Sequence, residues 1–325
     1  MFNILNRIPP ISRRRSTIFA LILLPTVFCF LLAKFAFNFR PFENDDTMYL
    51  FQARLFESGA VYTPSFPQKE FIPSFYLYRD INGKFFAHYP FGNSLIIAIF
   101  DSLFHPYAMP IVLQFLFGIV FYFLVRRFYS PATALLSLIF FSVSPAVIGL
   151  GATLFSENLN RLCIALFLLA SVIGIEEGHK MTRWRALIPF LGGLSLGFTL
   201  NVRPVSAACF GLVTGVFYLY QLIAKQSPER RRSLLSWSIW TALGSLPFIL
   251  LYLYWNYFFT GDPFKPTHPD RPGFYGNHTP GVAWTRTWSI YIPNIAYSVL
   301  GWGQMANNPF EWTSFFSKEV PSPKQ

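Results

Sequence analysis

Long apolar runs separated by short basic loops leave this chain few folds to choose from. Residues 16–37 are almost wholly apolar, with Lys34 near the far end. Comparable runs follow at 110–125, 131–150, 159–175, 186–200, 205–224 and 234–259. Each approaches or exceeds the roughly 20 residues a helix needs to cross a bilayer, and less certain segments at 95–104 and 288–302 add up to two more. The sequence thus predicts an all-α polytopic membrane protein of about seven to nine transmembrane helices. Composition agrees: 13% of residues are charged, where soluble domains carry about 25%. The run at 16–37 is longer than the core of a signal peptide and lacks a small-residue cleavage site, so it is read as a retained first span.

The net charge of +11 does not point to nucleic acid. Half of the 26 Lys and Arg fall in four clusters at 7–15, 126–127, 180–185 and 225–232, as expected of cytoplasmic loops. With those clusters inside, residues 38–92 become a large first extracytoplasmic loop. The predicted organisation is one membrane-embedded domain over 1–325: a first span at 16–37, the outer loop, a helical bundle over 93–259, and an outer loop and tail over 260–325. Cys29, Cys163 and Cys209 all lie in apolar segments and read as small buried hydrophobes. Asn82 and Gly83 predict a hairpin between 75–79 and 84–88.

Under this topology the polar oddities gather on the outer face. Asp45 and Asp46 begin a helix-like segment after the first span, where Asn44 or Asp45 is the expected cap. Paired acids there are either a cap or a reaction centre. Glu157 sits between two apolar runs, read either as facing a cavity or as the local partner of Arg161 four residues on. Arg203 joins two apolar runs without an acid nearby in sequence. It is read as a phosphate-binding guanidinium or as a snorkelling side chain. His88, His268 and His278 fall on the same face without compact metal-ligand spacing. No metal is assigned, no cofactor is named, and a divalent cation at the acids is left open. The absence of Walker and Rossmann glycine patterns argues against a bound nucleotide.

Taken in order, these residues resemble the C-class (GT-C fold) membrane glycosyltransferases. That family uses polyprenyl- or dolichyl-phosphate sugars as donors, and includes the protein O-mannosyltransferases and the lipid A aminoarabinose transferase. Its acidic pair followed by Tyr and Ala is echoed by Asp45, Asp46, Tyr49 and Ala53. The Tyr/Pro-Pro entry into its next helix is echoed by His88, Tyr89, Pro90, Phe91 and Gly92, with Phe91 in place of the second proline. Ser156 and Glu157 resemble its Ser-Glu junction, and Asn256, Tyr257, Gly261, Asp262 and Pro263 its late exit motif. Many members continue through further spans and an outer domain, whereas this chain stops soon after Trp302, as a short member or a truncated one would.

The resemblance implies transfer of a sugar from a polyprenyl-phosphate donor to a glycan, lipid or protein acceptor, on the extracytoplasmic face of the plasma (inner) membrane. It implies Asp45 as general base with Asp46 in support. His88, Tyr89, Glu157, Arg203, His268 and His278 are the candidate substrate-binding residues. The rival reading is a non-enzymatic transporter or flippase of lipid-linked sugars, which would use the same acids and arginines as a pathway through the bundle.

Overall fold

In the computed structural model the described residues are 15–65, 78–177, 183–224 and 227–267. The chain divides into two compact units, Met1–His268 and Pro269–Gln325, and all that follows belongs to the first. Its elements are α1 (Arg15–Leu31, continuing as a π-turn over Leu32–Ala36), α2 (Asn44–Glu57), β1 (Thr63–Pro64), β2 (Tyr78–Ile81) and β3 (Lys84–Ala87). Then come α3 (Gly92–Leu103), α4 (Ala108–Phe128), α5 (Pro131–Val143), α6 (Pro145–Gly151), α7 (Ser156–Glu177), α8 (Arg183–Leu200), α9 (Pro204–Ile223) and α10 (Pro228–Thr260).

Among the described residues, five helices are long and apolar enough to cross a membrane: α1 with its π-turn, α4, α7, α9 and α10. The run predicted as one span over 131–150 is instead two helices bent by 61°. Pro145 supplies no backbone N–H and keeps Ser144 extended, at φ −70° and ψ 118°, so the helix must restart. Counted as one, this pair makes a sixth crossing, while α3 and the apolar part of α8, Ala186–Leu200, are shorter. Val205, Leu212 and Val213 of α9 are all exposed, an apolar surface suited to lipid. Cys209 lies on that exposed surface too, while Cys29 and Cys163 are buried as predicted.

The all-α reading needs one amendment, a three-stranded antiparallel sheet ordered β1-β3-β2. The predicted hairpin turn is present. Asn82 and Gly83 both take left-handed φ, 53° and 76°, which matches the right-handed twist of the paired strands. Phe86 stacks on Phe259 at 3.8 Å between ring centroids, and Lys84 Nζ donates to the Phe258 carbonyl at 2.9 Å. The sheet is thereby fastened to the end of α10.

Such contacts fix which helix ends lie together. The end of α8 meets the start of α3, where the Gly92 N–H donates to the Asn201 carbonyl at 2.7 Å. A Cβ at Gly92 would sit 2.6 Å from that oxygen, so only glycine fits. Tyr107 and Met109 before and within α4, Leu154 and Leu159 around the start of α7, and Tyr49 of α2 share one apolar core. The sheet, α2 and α3 therefore cap one end of the bundle. Arg126 and Arg127 in the last turn of α4 and Arg230, Arg231 and Arg232 at the start of α10 lie at the other. That segregation is the one a positive-inside topology requires.

Helices α8 and α10 pack with backbones nearly touching, in the manner of small-residue seams in membranes. A Cβ at Gly193 or at Gly244 would run into the facing carbonyl, of Thr241 and Phe190 respectively. Gly193→Ala is therefore expected to lower stability by about 1–3 kcal/mol through overpacking. Gly215→Ala on α9, where a Cβ meets nothing within 4 Å, is the matched control and should be neutral or slightly stabilising. Thermal unfolding of the two purified variants in detergent measures the difference; equal melting would refute the close seam.

Candidate functional site

The site is assembled at the capped end, starting from the first turn of α2. The expected cap is corrected here: Glu43, extended at φ −125° and ψ 164°, holds the N-cap position without a side-chain bond, and Asn44 is already helical. The backbone just ahead of the helix is held by a side chain from inside it instead. Asp46 reaches back to accept from the Phe42 N–H at 3.1 Å. Its other oxygen accepts from the Leu154 N–H at 3.0 Å, across the bundle in the loop before α7. Asp46 is fully buried, so it braces the site without touching anything that binds there.

Successive helix residues point about 100° apart, and Asp45 accordingly takes a different direction, half-buried beside Tyr89. The Tyr89 hydroxyl donates to the Asp45 carboxylate; burial first, and that carboxylate second, hold the phenol above its ordinary range. Tyr89 stacks on Tyr49 at 4.8 Å with the planes 27° apart. Tyr49 donates to Ser156 Oγ at 3.0 Å, and its phenol is likewise pushed up, chiefly by burial. The same Ser156 oxygen accepts from Arg203 Nε at 3.0 Å, and an Arg203 terminal nitrogen pairs with Glu157 at 2.5 Å.

Four of the residues singled out in the sequence thus come together: Asp45, Tyr89, Glu157 and Arg203. Asp46 is adjacent but turned inward. His88 is buried with its ring 4.0 Å from that of Tyr89, which makes it a support for Tyr89. His268 and His278 lie outside the described residues. The local Glu157–Arg161 pair is not formed. Arg161 donates instead to Gln114 Oε1 at 2.8 Å and to Asn158 Oδ1 at 2.5 Å, and lies over the Phe117 ring. Among the described residues no three His, Cys, Asp or Glu side chains cluster closely enough to hold a metal ion.

Sequence reasoning passed over the residues that link the parts. Ser156 was noted only beside Glu157, yet it joins Tyr49 to Arg203. Gln52 accepts from the Ala87 N–H at 3.0 Å and donates to the Val61 carbonyl at 2.9 Å, tying α2 to the sheet. Asn93 donates to the Leu154 carbonyl at 2.8 Å. Ser156 and Asn93 stand in the first turn of α7 and α3, and Gln52 about two turns into α2; a polar residue beside apolar ones was the available signal.

Chemically, the arrangement offers a carboxylate at one side of a tyrosine stack and a guanidinium at the other. The starts of α7 and α9 both converge on Arg203, adding two positive helix ends. No family model, curated protein or solved structure matches this chain.

Asp46 gives the site a pH dependence. Burial pushes its carboxyl from 3.8 up to about 7, against the lowering pull of backbone donors at Phe42, Leu154 and Glu43, with Asp45 adding to the rise. A raised folded-state value favours the protonated form on folding. That stabilisation is complete below about pH 4 and is lost as the pH rises through about 7. The detergent-solubilised protein should therefore melt higher at about pH 5 than at about pH 8, and Asp46→Asn should flatten the slope. Asparagine offers one acceptor to two backbone donors, so the variant should also lose about 1–3 kcal/mol. An unchanged slope in Asp46→Asn would assign the pH dependence to another group.

Proposed function

We propose that this protein transfers a sugar from a polyprenyl-phosphate donor to a hydroxyl acceptor, with a GT-C-like architecture. The observation that carries this reading is the gathering of Asp45, Tyr89, Tyr49, Ser156, Arg203 and Glu157 at one end of an apolar bundle. A lipid-linked substrate fits such a site because its tail stays among the helices while its head group reaches the polar cluster. Asp45 takes the proton of the acceptor hydroxyl as that oxygen bonds to the anomeric carbon. The bond from that carbon to the carrier phosphate breaks, its electron pair stays on the phosphate, and Arg203 with the two helix ends takes up the charge. The acceptor is a glycan, lipid or protein of the cell envelope, and the cluster faces outward from the plasma membrane.

One observation favours transport of a lipid-linked sugar instead. Arg161, one turn deeper into α7 than Glu157, bonds Gln114 in the second turn of α4 and Asn158. Yet in the crossing helices acids occur only near the ends, Glu157, Glu176 and Glu177 in α7 and Glu229 in α10, a poor start for a translocation pathway.

Two measurements decide. Asp45→Asn keeps the size of the side chain and removes its basicity, so sugar transfer by the purified protein should fall roughly 10²–10⁴-fold with donor binding little changed. Full activity would return the transport reading to first place. Arg203→Lys should weaken donor binding, because a point ammonium cannot reproduce a forked contact; wild-type affinity would reduce Arg203 to a snorkelling residue. Orientation is checked separately with single cysteines at Ser65, Ser227 and Lys265 in a protein lacking Cys29, Cys163 and Cys209. A membrane-impermeant maleimide should reach positions 65 and 265, the latter exposed, from outside intact cells, and 227 only after permeabilisation. Labelling of 227 in intact cells would overturn the outward-facing site.

A further inference from the structure

We infer that Glu157 is a built-in competitor for the carrier phosphate. It holds Arg203 while the site is empty, yields it when the phosphate enters, and returns to it as the spent carrier leaves. The inference rests on the phosphate reading of Arg203 and deepens it.

The geometry separates Glu157 from the other acids of the cluster. Asp46 is fully buried with both oxygens on backbone donors and has no freedom to exchange partners. Glu157 and Arg203 have side chains 29% and 42% exposed, and a single direct contact joins them. Ion pairs exposed to this degree add little stability, typically about 0–1 kcal/mol. Nor is the pair needed to hold α7 to α9. Arg203 Nε already bonds Ser156 at the starts of both helices, and Tyr218 of α9 donates to the Ser171 carbonyl of α7 at 2.9 Å farther along. The Ser156 bond also keeps the guanidinium in place when Glu157 swings away. A carboxylate on a terminal nitrogen of that guanidinium stands where a phosphate oxygen would bind, since both anions use the same forked donors.

Charge explains what the competitor is for. The donor is a phosphodiester with one negative charge, and the spent carrier is a monoester that reaches about −1.5 to −2 near neutral pH. An arginine with no rival would grip the product more tightly than the donor and stall turnover. Glu157 weakens both complexes and supplies a replacement anion when the more highly charged product departs.

Binding of farnesyl phosphate, a short polyisoprenyl monophosphate, to purified wild-type protein, Glu157→Gln, Glu157→Ala and Arg203→Ala tests the inference, with inorganic phosphate run in parallel. Both Glu157 variants are expected to bind farnesyl phosphate about two- to fivefold more tightly than wild type, since the phosphate no longer has to break an exposed ion pair. Inorganic phosphate should show the same gain at lower absolute affinity. A gain confined to inorganic phosphate would mean that Glu157 screens free anions, and would overturn its role toward the carrier. Equal or weaker binding by folded Glu157 variants, with Arg203→Ala still impaired, would overturn the competitor and leave the phosphate site standing. If neither Glu157 variant folds, the ion pair is a structural clamp and the inference fails. Absence of binding by every protein, wild type included, would overturn the phosphate site itself.

Discussion

The site depends on one buried carboxylate. Asp46 ties the first turn of α2 to the loop before α7 through backbone donors on Phe42 and Leu154. Without that bridge, Asp45 on α2 and Ser156 and Glu157 on α7 would have no fixed relation. A carboxylate suits this role because it supplies two oxygens, one for each donor, where a hydroxyl or amide supplies one. The cost is desolvation, visible in the raised titration of the group. It is offset by ending a helix and docking it with the same side chain. Gln52 repeats the device one and a half turns later, with its amide bonded to the Ala87 N–H on one side and the Val61 carbonyl on the other.

The membrane imposes the second constraint. An apolar bundle can bury polar groups only where each finds a partner or reaches water. Here the helix ends are where that condition is most easily met. The starts of α7 and α9 and the end of α8 lie under a cap of α2, α3 and three short strands. Chain reversals bring Ser156, Asn201 and Arg203 to that end together, and Gly92 allows the cap to close on the Asn201 carbonyl. Polar residues that are far apart in sequence become neighbours because reversals are where the bilayer most readily leaves room for them.

Much of this was legible in the sequence, and what was not has identifiable causes. Among the described residues, five or six of the seven to nine expected spans follow from length and composition, and the hairpin from Asn82 and Gly83, because these signals are local. The break at Pro145 was also local chemistry, overridden by the apolarity of the surrounding run. The acidic pair is a different matter. Sequence offered a cap or a reaction centre for both acids together, whereas the fold turns Asp46 inward onto backbone donors and leaves Asp45 half-buried beside Tyr89. Which of two adjacent residues turns inward depends on where the loop before α7 passes, and no pattern within α2 encodes that. The linking role of Ser156 was hidden for the same reason, since its partners come from α2 and α9.

The partner of Glu157 carries the same lesson further. Helical spacing offered Arg161, one turn along α7, and a pair at that spacing is favourable by a few tenths of a kcal/mol. Arg161 is drawn away because Gln114, fully buried on α4, presents its amide oxygen to the guanidinium, and Asn158 presents another. The Phe117 ring lies beneath that cation and adds a contact that strengthens where water is scarce. A buried guanidinium needs acceptors wherever it can find them, and neutral carbonyl oxygens serve one of its terminal nitrogens without consuming an acid. Glu157 is thereby left for Arg203. A neutral glutamine in the apolar interior of α4 thus helps to decide which arginine at the rim carries a counter-ion.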